Sequence, residues 1–230
     1  MDYSSPILLR ARLLLGRKVG VLRPLVRLSR RIRRQSYEAG FDAALLKCIR
    51  PGWTVWDVGA NEGYYTRKLS QAVESGSVVA FEPSPRTFER LKKQFGQTAN
   101  VRLENVALAD KDGEASFYVS DNSAEDSLFH RTDDPRTEVK VRMIRADSYA
   151  VRFPPDVVKL DVEGFELDVL KGMSNILLSG RLKYLFIEVH FSILADRDQA
   201  GAPREIVHRI KQAGMHVDWV DPSHLVARLN

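Results

Sequence analysis

Four titratable side chains stand at the ends of two apolar segments, where they could carry out proton transfer. Asp161 and Glu163 follow one such segment, and Glu188 and His190 end the next one along the chain. A side-chain period of two puts Glu188 and His190 on the same side of an extended strand. Charged groups at the ends of buried strands cost free energy unless they are paired, so this cluster needs a chemical explanation.

Two chemical interpretations fit these four groups. His190, with an unperturbed pKa near ~6.5, is the natural general base for removing the proton of an attacking hydroxyl, and Asp161 and Glu188 are the further catalytic candidates. Glu163 is a candidate substrate contact. Alternatively, Asp161, Glu163, Glu188 or His190 could hold Mg²⁺ or Mn²⁺ and polarise a bound hydroxyl, an interpretation that ranks below direct base catalysis.

A second group of residues predicts a ligand-binding turn. In the segment 56–63, an acidic residue ends a strand and a turn with glycines at 59 and 63 opens a helix. Such glycines allow a sharp turn and close approach of a ligand, and the helix begins with unpaired N–H groups. Asp57 adds an anion that suits an ammonium group and would repel a pyrophosphate. The turn therefore favours S-adenosylmethionine over a dinucleotide, whose G-x-G-x-x-G fingerprint is absent.

Glu82 ends the next apolar strand, 19 residues after Gly63, and Pro83 stops that strand. A carboxylate at this place can accept hydrogen bonds from both hydroxyls of a ribose. Ligands of open α/β sheets bind outside the carboxyl ends of the strands, so Asp57 and Glu82 are expected to face one crevice.

Each of these residues also has a purely structural interpretation. Asp57 or Glu82 could be a loop acid or a helix cap. Glu166 and Asp168 could be solvated helix positions, and His190 could be a core residue with satisfied hydrogen bonds.

The elements that must position these groups follow from an alternation of short apolar runs with segments of helical periodicity. That alternation is typical of βαβ units and a parallel sheet. We expect a Rossmann-like α/β fold with a mostly parallel seven-stranded sheet and helices on both faces. The expected strands are 53–58, 77–82, 101–106, 156–161, 183–190, 216–220 and 224–229, the last two antiparallel, and the expected helices are 63–74, 84–97, 164–178 and 203–213.

An insert, 110–153, separates the third and fourth main strands. Within it, Glu114–Ser120 and Glu138–Ile144 are expected to form short strands around a polar loop, 121–137, a candidate lid or substrate surface. Ser127 in that loop is a second, weaker candidate for contact with the substrate.

Composition and charge bound the class of protein. The chain has 230 residues, 44% of them hydrophobic, which suits one domain over 37–230. Its apolar runs are too short to span a membrane, and those near the N-terminus are too broken by arginine for a secretory signal. Its single cysteine fits a reducing compartment. We expect a cytoplasmic protein.

The segment 1–36 is a basic arm. It carries a local charge of +9 within a chain of net charge +5, so the remainder is mildly acidic. From Pro24 onward the arginines gather on one side of a helical wheel and apolar residues on the other. Packing on the domain is the first interpretation, contact with an anionic membrane surface the second, and contact with nucleic acid the third.

At the residues described above, the sequence resembles the FkbM family of methyltransferases, over roughly 40–195. The matching segments are Val55–Tyr65, Phe81–Pro83, Asn105–Leu108, Lys159–Gly172 and Ile187–His190. It departs from the family at Met143–Asp147, where Thr-Leu-Asp is common, and in the basic arm.

The resemblance implies a class I methyltransferase that uses S-adenosylmethionine, commonly to methylate hydroxyls of sugars, glycans or secondary metabolites. It places the turn around the methionine end of the cofactor, Glu82 at the ribose and Asn105–Leu108 at the adenine. The expected cofactor contacts are Asp57, Gly59, Ala60, Asn61, Gly63, Glu82, Pro83, Asn105, Val106, Ala107 and Asp161.

Two other classes of function stay open at this point. An RNA or tRNA methyltransferase would use the basic arm to bind phosphates, although the main domain lacks an obvious basic channel. A non-catalytic cofactor-binding protein would keep the fold without turnover. The expected partner is a small-molecule or glycan acceptor.

Overall fold

The described part of the chain, residues 3–5, 40–119 and 137–229 of a computed structural model, is built around a seven-stranded sheet with a smaller sheet beside it. The strands are β1 Thr54–Val58, β2 Ser77–Phe81, β3 Val101–Glu104, β4 Ala107–Ala109, β5 Gly113–Val119, β6 Thr137–Arg145, β7 Val157–Leu160, β8 Tyr184–Glu188, β9 Met215–Trp219 and β10 His224–Leu229. The helices are α1 over 40–48, α2 Tyr64–Ala72, α3 Pro85–Phe95, α4 Ala146–Ala150, α5 Glu166–Gly172, α6 Ser174–Leu178, α7 Phe191–Asp196 and α8 Ala202–Gln212.

The strand order of the large sheet is β3-β2-β1-β7-β8-β10-β9, and β10 is antiparallel to both of its neighbours. The other pairings between described neighbours in this sheet are parallel. The chain reverses its direction of travel across the sheet between β1 and β7, which opens a crevice at the carboxyl ends of these strands. The predicted fold class is confirmed.

The core lies on both faces of this sheet because the central strands alternate their side chains between two apolar layers. On β1, Val55 packs with Phe41 and Leu45 of α1. The neighbouring Trp56 and Val58 pack in the opposite layer, which also contains residues of α5 to α8. Position 57 therefore points toward the layer of α1 and α2, where a charged side chain must find its partners inside the protein.

The structure differs from the predicted elements in three places along this part of the chain. The predicted helix 164–178 is two helices, α5 and α6, which meet at Met173 with φ −112° and ψ 28°. A Cβ on Gly172, the last residue of α5, would lie 1.8 Å from the carbonyl oxygen of Ala109, so only glycine fits this contact. Strand β8 ends at Glu188, so His190 lies just beyond the strand and caps α7, a short helix that the sequence pattern did not predict.

The insert forms part of a separate three-stranded sheet. Its strands β5 and β6 pair antiparallel, close to the predicted bounds, and β6 also pairs in parallel with the unpredicted strand β4. Most of the predicted polar loop, including Ser127, lies outside the described residues, as does the basic arm apart from residues 3–5. In the described ranges, no helix has the length and apolar character needed to cross a membrane.

Candidate active site

Four loops meet at the carboxyl edge of the large sheet. They follow β1 (residues 59–63), β2 (82–84), β7 (161–165) and β8 (189–190). Because parallel strands end at the same edge, each loop brings its polar side chains toward one crevice. All the described residues with predicted catalytic roles lie on these loops or at the strand end beside them.

The turn after β1 needs its glycines for packing within the protein. Gly59 has φ 79°, and a Cβ there would lie 1.8 Å from the carbonyl oxygen of Asp161. Gly63 has φ 83°, and its Cβ would lie 2.3 Å from the ring of Phe95 on α3. The predicted glycine turn is matched by this geometry, and these contacts within the protein exclude a side chain at both positions.

Glu82 holds the turn after β1 and its own loop together. Its carboxylate is buried and accepts the N–H of Asn61 at 2.9 Å and the N–H of Ser84 at 2.8 Å. The amide of Asn105 donates to the carbonyls of Glu82 and Pro83 at 2.8 and 3.1 Å. A carboxylate oxygen can accept more than one hydrogen bond, which is the chemistry that a ribose hydroxyl would use.

Three other residues with predicted cofactor contacts are buried apolar positions close to these loops. Ala60 donates its N–H to the carbonyl of Phe81 at 3.0 Å. Val106 and Ala107 lie at the beginning of the small sheet, immediately after Asn105. They offer backbone and apolar contact rather than charge.

Asp57 does not supply the crevice with an anion. Its side chain is fully buried (0% exposed), accepts the hydroxyl of Thr66 at 2.7 Å, and lies 3.4 Å from the ammonium of Lys159. The electrostatic argument made for Asp57 from the sequence is therefore wrong, because its charge is balanced inside the protein. The exposed carboxylate next to the turn belongs to Asp161, which is 27% exposed.

Lys159 is a central residue of the site that the sequence reasoning missed. It lies in β7 directly opposite Asp57 in β1, and its ammonium is 3.4 Å from one carboxylate oxygen of Asp57 and of Asp161. Burial opposes its charge, but the carboxylates of Asp161, Asp57 and Glu188 raise the pKa of Lys159 above its usual value. A lysine inside an otherwise apolar strand was the available signal.

His190 is surrounded by four carboxylates. Its Nε2 lies 3.4 Å from Glu163, 3.7 Å from Asp161 and 3.8 Å from Glu188, and its Nδ1 lies 2.7 Å from Glu166. The structure thus brings together all four of the titratable groups that the sequence placed at this edge. It also adds Glu166, which is fully buried, so its interpretation as a solvated helix position is wrong.

The surrounding charge decides the protonation of this cluster. Burial opposes the imidazolium, but the hydrogen bond and charge of Glu166, together with Glu163 and Asp161, raise the pKa of His190 well above its usual value. Burial chiefly raises the pKa of Glu163 to about 7, although the charge of His190 opposes the shift. The carboxylates around His190 therefore favour its imidazolium form over the neutral ring.

Asp168 has a different partner from Glu166. Its carboxylate accepts a hydrogen bond from Arg197 at 3.1 Å, and Arg197 also donates to the carbonyl of Gly164. Asp168 is thus neither freely solvated nor part of the cluster around His190.

The metal hypothesis has a partial geometric basis. In the described ranges, donor atoms of Asp161, Glu163 and His190 lie within 4.8 Å of one another, a spacing that one divalent cation could bridge. Glu188 is outside that group. The hypothesis stays a prediction.

A second histidine, His224, supports the cluster from β10. It lies opposite Glu188 in the antiparallel pairing, with Nε2 3.4 Å from Glu188 and Nδ1 2.7 Å from Asp221. Burial opposes its charge, but these two carboxylates raise the pKa of His224 to about 9. The sequence analysis gave it no role because its partner Asp221 is buried by the turn between β9 and β10.

This pair predicts a stability that depends on pH. The pKa of His224 is higher in the folded than in the unfolded chain, so its contribution is complete below about pH 6.5 and is lost as pH rises through 9. Between these limits, we expect the free energy of unfolding of wild type to lose about 3 kcal/mol relative to His224→Gln.

Urea denaturation at pH 6 and at pH 9.5 measures this difference. His216→Gln is the matched control, since His216 is half exposed on β9 next to Asp218. Equal pH dependence of wild type and His224→Gln would contradict the assignment.

Comparison with known proteins places this site in a family. The family model for the methyltransferase FkbM domain matches residues 57–217, from Asp57 in β1 to β9. The hexuronic acid methyltransferase AglP of Haloferax volcanii is 34% identical over 143 residues, 60% of this chain and 56% of that protein. The 2-O-methyltransferase NoeI of Sinorhizobium fredii is 26% identical over 153 residues, 59% of this chain and 63% of that protein. The chain thus spans little more than half the length of these relatives.

Solved structures show the same fold. The methyltransferase FkbM from Methylobacillus flagellatus matches with a TM-score of 0.51 and 14% identity, over 77% of this chain and 43% of that one. A putative rRNA methylase from Clostridium thermocellum matches with a TM-score of 0.52 and 12% identity, over 85% of this chain and 94% of that one. The extent of the family match, the fold and the arrangement of loops at the sheet edge lead to one conclusion: this chain belongs to the FkbM family of methyltransferases.

Proposed function

We propose that this protein transfers the methyl group of S-adenosylmethionine to a hydroxyl of a sugar, either free or within a glycan. The observation that carries the proposal is the cluster of His190 with Asp161, Glu163 and Glu188 at the carboxyl edge of the sheet, next to the turn after β1. The names of two relatives support the choice of acceptor, since one is a hexuronic acid methyltransferase and the other a 2-O-methyltransferase.

The donors in the crevice fit S-adenosylmethionine. Glu82 offers carboxylate oxygens to a ribose diol, and the partly exposed Asp161 beside Gly59 offers an anion to an ammonium group. Asp161 thus takes the role that the sequence analysis gave to Asp57. When bound, S-adenosylmethionine supplies a sulfonium methyl group and leaves as S-adenosylhomocysteine.

His190 then provides the proton acceptor. A positively charged ligand beside Asp161 competes for the carboxylates that hold the imidazolium, and so favours its neutral form. Neutral Nε2 takes the hydroxyl proton as the O–CH₃ bond forms. Glu163, 3.4 Å away, is placed to accept that proton in turn or to bind a neighbouring sugar hydroxyl.

The test is a release assay for S-adenosylhomocysteine with an acceptor panel of a hexuronic acid glycoside, a neutral hexose glycoside and RNA. We expect release with one or both glycosides and a product heavier by one methylene. Loss of periodate cleavage at the methylated diol would locate the methyl group. Transfer to RNA alone, or cofactor binding without transfer to any glycoside, would overturn the proposed acceptor class.

The cofactor part of the proposal predicts a large effect at Glu82. Glu82→Gln keeps the shape of the side chain and removes the charge that strengthens hydrogen bonds to a diol. It also replaces one of the two oxygens that accept the N–H groups of Asn61 and Ser84 with an amide nitrogen. We expect the Kd of S-adenosylmethionine to rise about 100-fold, because hydrogen bonds to charged groups contribute roughly 1.5–3 kcal/mol each. Isothermal titration calorimetry measures it.

Glu62→Gln is the matched control for Glu82→Gln. Glu62 lies in the same turn, but its carboxylate is exposed and pairs with Arg90 at 2.8 Å on the surface. NAD serves as a ligand control and is expected not to bind. Glu82→Gln with the affinity of wild type would show that the ribose lies elsewhere.

Two expectations about the protein's surroundings stay proposals. The cytoplasmic location is expected from the single cysteine and the short apolar runs. The membrane contact depends on the basic arm, nearly all of which lies outside the described residues. Only Tyr3–Ser5 are described there, and the ring of Tyr3 lies 5.9 Å from that of Trp219, edge to face.

A further inference from the structure

Glu166 is a buried carboxylate that the mechanism above does not use. It lies in the first turn of α5 with 0% of its surface exposed. One oxygen, Oε1, lies 2.7 Å from Nδ1 of His190 and accepts the N–H of Gly164 at 2.9 Å. Burying a carboxylate costs free energy unless hydrogen-bond donors compensate it. For Glu166 these donors are the ring of His190 and the N–H of Gly164.

This contact assigns different tasks to the two nitrogens of the His190 ring. A carboxylate only accepts hydrogen bonds when ionised, so Nδ1 carries the hydrogen that lies between the two groups. Nε2 is then the nitrogen that faces Asp161, Glu163 and Glu188, at 3.4 to 3.8 Å. The ring presents its proton-accepting nitrogen to the crevice because Glu166 binds the other one.

The loop that carries Glu166 is itself fixed. Gly164 has φ 89°, and a Cβ there would lie 2.5 Å from Cγ2 of Ile193 on α7. Arg197 follows α7, donates to the Gly164 carbonyl and stacks over the ring of Phe165, 3.5 Å from its centroid. The loop 162–165 is therefore clamped against α7, the helix that begins immediately after His190.

We propose that Glu166 is a positioning residue that orients the imidazole of His190, with Nδ1 bound to its buried carboxylate and Nε2 directed at the acceptor hydroxyl. The inference rests on the proposed function, since it assigns the proton to Nε2 of His190. Glu166 itself contacts neither the reacting atoms nor the crevice. Its effect on the reaction passes through the ring.

Two substitutions test the contact. Glu166→Leu removes the acceptor and keeps most of the buried volume, and Glu166→Gln keeps the shape and removes only the charge. We expect kcat to fall about 100-fold in Glu166→Leu and about 10-fold in Glu166→Gln, with the Kd of S-adenosylmethionine unchanged. Asp168→Asn is the matched control, because Asp168 lies in the same helical turn but binds Arg197. Its kcat should stay near that of wild type.

Nuclear magnetic resonance gives a readout that a merely structural role would not move. In the protein labelled with ¹⁵N-histidine, the signals of His190 are identified by their loss in His190→Gln. The spectra are recorded over a pH series that extends above the pKa of His190, so that the neutral ring is observed. In that neutral ring we expect Nδ1 of wild type to keep its hydrogen, and the hydrogen to be shared between both nitrogens in Glu166→Leu. Circular dichroism checks that each variant is folded. If Glu166→Leu does not fold, the comparison is made with Glu166→Gln alone.

The outcomes separate this inference from the proposed function. If wild type methylates a glycoside and both Glu166 variants match its kcat, Glu166 is not a positioning residue. A neutral ring in wild type with its hydrogen on Nε2 would also overturn the inference. If wild type methylates no acceptor, the proposed function fails, and the ring signals still decide whether Glu166 fixes His190.

Discussion

His190→Gln is expected to lower kcat for methyl transfer to a sugar hydroxyl by about 1,000-fold, within the range of a positioned proton acceptor. Glutamine can still donate an amide hydrogen bond to Glu166, so the variant removes the ring that accepts a proton and preserves a polar contact below it. The Kd of S-adenosylmethionine should not rise, because the cofactor contacts belong to Glu82 and Asp161.

Single-turnover kinetics with saturating S-adenosylmethionine measures the chemical step in His190→Gln. His216→Gln is the control, since His216 lies half exposed on β9, away from the cluster. A rate constant within about tenfold of wild type, below the range for general base catalysis, would remove His190 as the base. Asp161→Asn and Glu188→Gln would then be the next variants to measure.

The sequence was sufficient for the parts of the site that depend on strand ends. Asp57, Glu82, Asp161 and Glu188 each follow or finish a short apolar run, and parallel strands end at one edge of a sheet. Their convergence could therefore be predicted without coordinates. The roles of these carboxylates could not, because a role depends on which of them is buried against a partner.

Asp57 and Lys159 illustrate that limit. Both are charged residues next to apolar ones, and the sequence assigned Asp57 to the ligand and nothing to Lys159. The register of β1 against β7 sets them opposite each other, so the charge of Asp57 is balanced within the sheet. Strand order and register are set by contacts between segments that are distant in sequence. The periodicity of a single segment carries no information about those contacts.

Glu166 and His224 were missed for a related reason. Helix α5 passes close to Ala109 at Gly172, and its first turn, including Glu166, is buried by the surrounding elements. His224 meets Glu188 only through the antiparallel pairing of β10 with β8. Either residue would be solvated on a protein surface. Tertiary packing instead buries both of them within a network of charged groups.

Lys159→Met is expected to reduce the free energy of unfolding by about 3–5 kcal/mol, the cost of removing one partner from a buried ion pair. Methionine fills a similar volume, so the loss reports charge rather than a cavity. Asp57 would then lie fully buried with only the Thr66 hydroxyl as a polar side-chain partner. Such a loss is a large part of the stability of an ordinary domain, about 5–15 kcal/mol.

Urea denaturation measures this loss, with Lys140→Met as the control. Lys140 pairs with Glu138 on the surface at 3.5 Å, and removing an exposed ion pair should cost no more than about 1 kcal/mol. If Lys159→Met costs as little as Lys140→Met, the ammonium does not hold the two strands together.

The double variant Lys159→Met with Asp57→Asn separates charge balance from packing. It removes both members of the pair that lies across β1 and β7, so most of the lost stability should return. Asp161 would keep its charge but lose the ammonium that lies 3.4 Å away. A ligand ammonium at Asp161 should then bind more tightly than in wild type. Restored stability with tighter binding of S-adenosylmethionine would mean that Lys159 stabilises the sheet and moderates the attraction of the crevice for its cofactor.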